Sequence, residues 1–109
     1  GASNLGDIGK LFPDTDPAYK GISSILLLQN VFSLVAEAGW RIANIDSVII
    51  CERPKIGPFV DEMKENISRA CGGLEPLRIA IKGKTTEKLG FTGRGEGIAS
   101  QAVVLLFRV

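Results

Sequence analysis

The segment Ile45-Asp46-Ser47-Val48-Ile49-Ile50-Cys51 constrains the fold more than any other part of the sequence. It is rich in β-branched residues, which favour strands. Its end, Val48-Ile49-Ile50, offers no polar residue to water, so a strand covered on both faces is expected. The flanking sequence predicts the cover. From Ile22 to Ala38 the spacing is helical. Ile22, Leu26, Val31 and Val35, with Leu28 and Phe32 beside them, share a broad apolar face, and Gly39 stands where a helix-ending glycine belongs. A second helix is predicted from about Pro58, a residue suited to a first turn. Phe59, Met63, Ile67 and Ala70 give its buried stripe, and Gly72-Gly73 stop it. Leu77, Ile79 and Ile81 alternate with Arg78, Ala80 and Lys82 as in a half-buried strand. Gly83 to Gly97 reads as a glycine-rich loop and Ala102 to Val109 as an apolar strand. Residues 1–21, punctuated by Gly6, Gly9, Pro13, Pro17 and Gly21, read as irregular. Helices alternating with strands predict a layered α/β or α+β domain with helices on a sheet face.

Composition narrows the reading. Hydrophobic residues make up 45% and aromatics 6%, so the core must be aliphatic. The 109 residues suit one domain, and a chain this short buries a modest share of its surface, so partner subunits would help. A net charge of +1 speaks against a nucleic-acid binder, which needs a clustered basic excess. The apolar run Ile25 to Leu28 is far too short to span a bilayer. No basic stretch followed by an apolar one opens the chain, so no signal peptide is expected. Cys51 and Cys71 form no C-x-x-C, and there is no His. That excludes the usual Cys/His zinc site among these residues. So few cysteines fit a reducing compartment. The chain opens in a loop, and its strands make a small platform for two long helices. An upstream segment is therefore expected.

Several segments carry polar chemistry. Gly83-Lys84-Thr85 looks like the end of a P-loop, but that motif needs a glycine where Arg78 stands and a helix where Leu89 to Gly95 is expected to hold none. Phosphate can be met otherwise: Lys82, Lys84, Lys88 and Arg94 bracket Thr85 and Thr86, and cations donate charge-assisted bonds to phosphate oxygens. Glu87 among these cations suits a divalent ion shared with phosphate, or a surface salt bridge. Asp14-Thr15-Asp16 in a proline-bounded loop suits turn-making, or contacts to metal or sugar hydroxyls. Arg53-Pro54-Lys55 follows the buried strand, where ligands of open sheets gather, and reads equally as a solvated turn.

Two long runs and one short one occur together in a known family. Gly6-Asp7-Ile8-Gly9-Lys10-Leu11-Phe12-Pro13-Asp14-Thr15-Asp16-Pro17 resembles the signature of the 2-C-methyl-D-erythritol 2,4-cyclodiphosphate synthases. So do Thr85-Thr86-Glu87-Lys88-Leu89-Gly90-Phe91-Thr92-Gly93-Arg94-Gly95-Glu96-Gly97 and Arg53-Pro54-Lys55. The resemblance covers nearly the whole chain. It implies an α+β, ferredoxin-like subunit of a homotrimer with active sites between subunits. It also implies cyclisation of CDP-methylerythritol 2-phosphate with release of CMP, in the non-mevalonate isoprenoid pathway. The location implied is cytoplasmic in a bacterium or plastid in a eukaryote.

The resemblance also assigns roles. Asp7, Ile8, Gly9, Phe12, Pro13, Asp14, Thr15 and Asp16 correspond to the loop around methylerythritol phosphate. Cys51, Glu52, Arg53, Pro54, Lys55, Ile56 and Gly57 correspond to the cytidine pocket, with Lys55 toward phosphate. Lys84, Thr85, Thr86 and Glu87 correspond to the diphosphate segment, Thr85 as the catalytic group and Glu87 as the ligand of Mg²⁺ or Mn²⁺. Phe91 and Arg94 fall near substrate and the central trimer cavity. The family's Zn²⁺ ligands lie upstream of Gly6 and have no counterpart here, so residues 1–109 by themselves are expected to be inactive. They form the C-terminal two-thirds of the family's domain. Gly83 stands where alanine is usual, and Lys84 where many members carry threonine. A non-catalytic, cytidine-nucleotide-binding trimer module is the alternative.

Overall fold

A computed structural model describes residues 1–109. Helix α1 spans Ile8–Leu11, α2 Ser24–Glu37, α3 Val60–Ala70 and α4 Gly90–Gly93. Strand β1 spans Trp40–Ile50, β2 Ile79–Lys84 and β3 Ala99–Arg108. The sheet order is β2-β1-β3, with β1 parallel to β2 and antiparallel to β3. Ser23 caps α2, its hydroxyl accepting from the Ile25 N–H, and Gly39 follows the helix at φ 91°, a conformation open to glycine. The helix α3 carries Asp61 and Glu62 in its first turn and Arg69 in its last, matching the helix dipole at both ends.

Both helices pack on one face of the sheet. Ile45, Cys71, Ile79 and Ile81 are the buried centre, joined by Leu28, Phe32, Ile42, Ile49, Val60, Met63 and Ile67. Burial pushes the Cys71 thiol pKa above its ordinary 9.0. The α+β layering expected from the sequence is what forms. Its details differ in instructive places. β1 begins at Trp40 because β3 pairs with it along its whole length, with an irregularity between Ile42 and Asn44. Val48 and Ile50 are half-buried rather than enclosed: alternation puts Ile49 in the core and turns them to the opposite face, which no helix covers. Leu77 lies in a 3₁₀ turn, 97% exposed, and only Ile79 and Ile81 of that alternation are buried. Leu26 and Phe59 are likewise about half exposed.

The open face of the sheet carries Val103, Leu105 and Phe107, all exposed. Only 7 of the 109 residues are buried, and the accessible surface is 7733 Å². A folded monomer of this mass exposes about 5,800 Å². The radius of gyration is 15.3 Å, against about 13 Å for a compact domain of this length. Unpartnered apolar surface on β3 and α2 contributes to the excess, as do Ile8, Leu77, Leu89 and Ile98, and together they are more than an isolated globule ordinarily leaves bare.

Candidate functional site

Parallel β1 and β2 end side by side, with Ile50 opposite Lys84. One further ladder bond follows, the Cys51 N–H donating to the Lys84 carbonyl at 3.0 Å. Two loops therefore leave the sheet together, residues 51–57 and 85–89. A cavity of about 370 Å³ lies between them, the size of a small-ligand cleft. Buried Cys51 and Ile81, with half-buried Ile56 and Val60, form its apolar lining. Lys55, Lys84 and Thr85 supply its polar groups. The Cys51 thiol donates to the Pro54 carbonyl at 3.6 Å. Gly83 lines the same cavity, and a Cβ there would sit 2.8 Å from Ile56 Cγ1. Ile56 thus fills the space an alanine methyl would take.

The second loop is a strained turn held from several sides. Glu87 and Lys88 both have left-handed backbones, at φ 53° and 67°, a conformation costing non-glycine residues on the order of 1–3 kcal/mol each. The Lys88 N–H donates to the Glu52 carboxylate at 2.8 Å, which ties this turn to the other loop. The Thr86 hydroxyl donates to the Leu89 carbonyl at 2.6 Å and lies 3.0 Å from that of buried Thr92. Gly93 packs flat on Lys88: a Cβ would meet the Lys88 carbonyl carbon at 2.3 Å. Residues Gly90–Gly93 form one helical turn, α4, correcting the expectation that this run holds no helix. The threonine pair and the missing Cβ at Gly93 let the turn close. Being a single turn, it does not restore the P-loop reading. The Thr85 hydroxyl donates to Glu87 Oε1 at 3.3 Å and accepts from the Glu87 N–H at 3.4 Å, so Glu87, which like Thr86 is not part of the cavity lining, is held beside a residue that is.

Of the residues singled out in the sequence, Cys51, Glu52, Pro54, Lys55, Ile56, Gly57, Lys84 and Thr85 line this cavity. Exposed Arg53 does not. Neither does any residue of 7–16. That segment is organised locally. Asp7 caps α1 by accepting from the Lys10 N–H at 2.8 Å, and Asp16 accepts from the Ala18 N–H at 2.9 Å. The Phe12 ring meets Tyr19 edge-on at 5.3 Å. Pro13, Asp14 and Thr15 are exposed, as are Ile8 and Gly9. The Phe91 ring lies over Gly97, where a Cβ would come within 3.1 Å. Arg94 pairs with Glu96 at 2.5 Å. Sequence reasoning did not single out Val60, Ile81 or the Glu52–Lys88 bond. Ile81 reads as a half-buried strand position, Val60 falls outside the stripe expected of its helix, and nothing in spacing links Glu52 to a backbone amide 36 residues away.

No group of three or more His, Cys, Asp or Glu side chains gathers anywhere. A Mg²⁺ ion fits all the same, since it is commonly held by one or two carboxylates and completed by substrate phosphate oxygens. Glu87, bonded to cavity-lining Thr85, meets that requirement. Zinc does not fit: there is no His, and Cys71 lies outside the cavity that Cys51 lines.

The YgbB family model matches residues 1–107. The 2-C-methyl-D-erythritol 2,4-cyclodiphosphate synthase of Syntrophotalea carbinolica is 60% identical over 106 residues, 97% of this chain and 64% of its own length. That of Trichlorobacter lovleyi is 54% identical, over 97% of this chain and 67% of its own. The chain thus spans about two thirds of the length of the curated relatives it matches. Among solved structures, the bifunctional IspDF from Campylobacter jejuni superposes with a TM-score of 0.94 at 42% identity, over 100% of this chain and 29% of that one. The Plasmodium falciparum IspF CDP complex gives 0.80 at 32% identity, over 94% and 60%.

Proposed function

The chain belongs to the YgbB family, and we propose that the protein containing it is a 2-C-methyl-D-erythritol 2,4-cyclodiphosphate synthase, a phosphorus–oxygen lyase. The observation that carries this reading is the convergence of Lys55, Lys84 and Thr85 on one cavity at the paired ends of β1 and β2, with Glu87 held to Thr85. The names of the relatives and the CDP complex of the Plasmodium falciparum protein support it.

The reaction is intramolecular. An oxygen of the 2-phosphate attacks the β-phosphorus in line, the bond from that phosphorus to the α-phosphate bridge breaks, and CMP leaves with the bridging oxygen. No covalent nucleophile is required, so positioning and charge neutralisation carry the catalysis. The apolar lining and the 51–57 backbone receive the cytosine, Lys55 and Lys84 meet the phosphates, and the Thr85 hydroxyl donates toward the reacting β-phosphate. A Mg²⁺ or Mn²⁺ ion on Glu87, when bound, neutralises charge on the α- and β-phosphates. Residues 7–16 would hold the methylerythritol end, brought to the cavity by a neighbouring subunit of a homotrimer. The bare apolar faces of β3 and α2 support such an assembly. No helix of the structure is long and apolar enough to cross a membrane.

CMP release from CDP-methylerythritol 2-phosphate by the intact protein, with Zn²⁺ and Mg²⁺ supplied, tests the reading. Release is expected. CDP binding without release would leave a non-catalytic nucleotide module.

A further inference from the structure

We propose that Glu52 is a positioning residue whose carboxylate, by accepting the Lys88 N–H, fixes the left-handed turn that aims Glu87 at a divalent cation. The inference rests on the reading of the cavity given above and adds to it a residue that acts through another.

A site for a diphosphate gains from cations and loses from carboxylates, yet Glu52 lines the cavity together with Lys55 and Lys84. Its carboxylate is not spent on either lysine: the ion pairs of the molecule are Lys82–Asp46 and Arg94–Glu96. It is spent on a backbone amide of the facing loop, at 2.8 Å. A charge-assisted bond to a carboxylate is among the stronger hydrogen bonds. It lands on the second of two successive non-glycine residues at positive φ, Glu87 and Lys88. That pair could relax toward ordinary backbone angles unless something outside the turn holds it.

The turn is gripped at Lys88 from both sides. Glu52 holds the amide, and Gly93 lies against the carbonyl carbon. Within the turn, the Thr85 hydroxyl touches Glu87 Oε1 at 3.3 Å. If the amide is released, the peptide preceding Lys88 can rotate, and with it the Glu87 carboxylate swings from Thr85. The 51–57 half of the cavity would keep its shape, because its own ladder bond joins Cys51 N–H to the Lys84 carbonyl. Metal binding should therefore suffer far more than metal-free nucleotide binding.

The test uses the intact protein with Glu52→Ala, Glu52→Gln and Glu87→Gln. Mn²⁺ affinity in the presence of CDP is read by the paramagnetic signal of the free ion, CDP affinity without metal by calorimetry, and folding by thermal melting. Losing one charge-assisted bond predicts Mn²⁺ binding weakened about tenfold to a hundredfold in Glu52→Ala. Metal-free CDP affinity should fall far less than Mn²⁺ affinity, and melting should stay close to that of the unsubstituted protein. Glu52→Gln should recover most of the loss, because its amide oxygen accepts the same N–H. Unchanged Mn²⁺ binding in Glu52→Ala overturns the proposal. So does a Gln variant as weak as Ala, which would make the charge a direct ligand, or a parallel fall of CDP affinity and melting. If Glu87→Gln weakens Mn²⁺ and Glu52→Ala does not, this inference alone is wrong. If the unsubstituted protein binds no CDP, the reading of the cavity fails with it.

Discussion

The two polar segments of this molecule are held in opposite ways. The loops at the ends of β1 and β2 are tied by long-range bonds, Cys51 to Lys84 and Glu52 to Lys88. Residues 7–16 are tied only to their own neighbours, through the caps of Asp7 and Asp16. The first region is a cavity already shaped within one chain. The second shows mostly exposed side chains, its Leu11 alone lining a separate apolar cavity beside α2. A preformed pocket loses little entropy on binding, whereas a displayed loop needs a second surface to complete it. Under the proposed function, the difference divides the substrate in two: a nucleotide end met within the chain, and a sugar end that the proposed trimer would complete.

Substitutions can break or sharpen that division. The largest effect is expected from Gly93→Ala, whose methyl would drive into the Lys88 backbone. Mn²⁺ affinity in the presence of CDP should fall about a hundredfold, the upper end of an overpacking cost of ~1–3 kcal/mol. A normal Mn²⁺ affinity would mean that the turn does not aim Glu87, and calorimetry should find metal-free CDP affinity far less changed. Lys55→Ala should weaken CDP by about tenfold or somewhat more, the worth of one bond to a charged group. The same titration of CDP against cytidine checks it, since cytidine lacks the phosphates and should be far less affected. Smaller still is Asp7→Ala, which removes the cap of α1 at a cost of about 0.5–2 kcal/mol. The Lys10 amide should then exchange faster with solvent while CDP affinity keeps its value. A loss of CDP affinity would show that the two regions are coupled.

The smallest effect is a pH slope. The Cys71 pKa is raised in the folded chain by burial, so the folded state keeps a proton that the unfolded state releases. Stability from this source is whole below the ordinary pKa of 9.0 and declines as pH rises above it toward the folded value. Denaturant melts between neutral and alkaline pH should show that decline, flattened in Cys71→Ala. An identical slope in both proteins would assign it to other groups.

Much of this was legible in the sequence because local patterns and global fold agree. The spacing of α2 and α3, the β-branched run of β1 and the glycines after each helix point to the α+β layering without help. The cavity was half legible: Arg53-Pro54-Lys55 after a buried strand marked one loop, and Lys84 to Glu87 the other. What brought them together was the parallel register of β1 with β2, which no local pattern encodes. The one-turn α4 was missed because glycines at 90 and 93 oppose helix in isolation. There the hydroxyls of Thr86 and Thr92 and the contact with Lys88 decide the matter. The two-sided burial expected of Val48 and Ile50 failed for a related reason. Apolar sequence reports that a face wants cover, not that the same chain supplies it.

The central strand has a consequence for synthesis. β1 is flanked by β2 and β3, and Trp40 pairs with Arg108 while Ile50 pairs with Ala99. A ribosome making this chain therefore releases β1 long before β3 exists. For that interval one side of an apolar strand of 11 residues has no ladder partner, the state most open to mispairing with another nascent chain. A pause placed after β1 should worsen aggregation, and fast completion of β3 should relieve it.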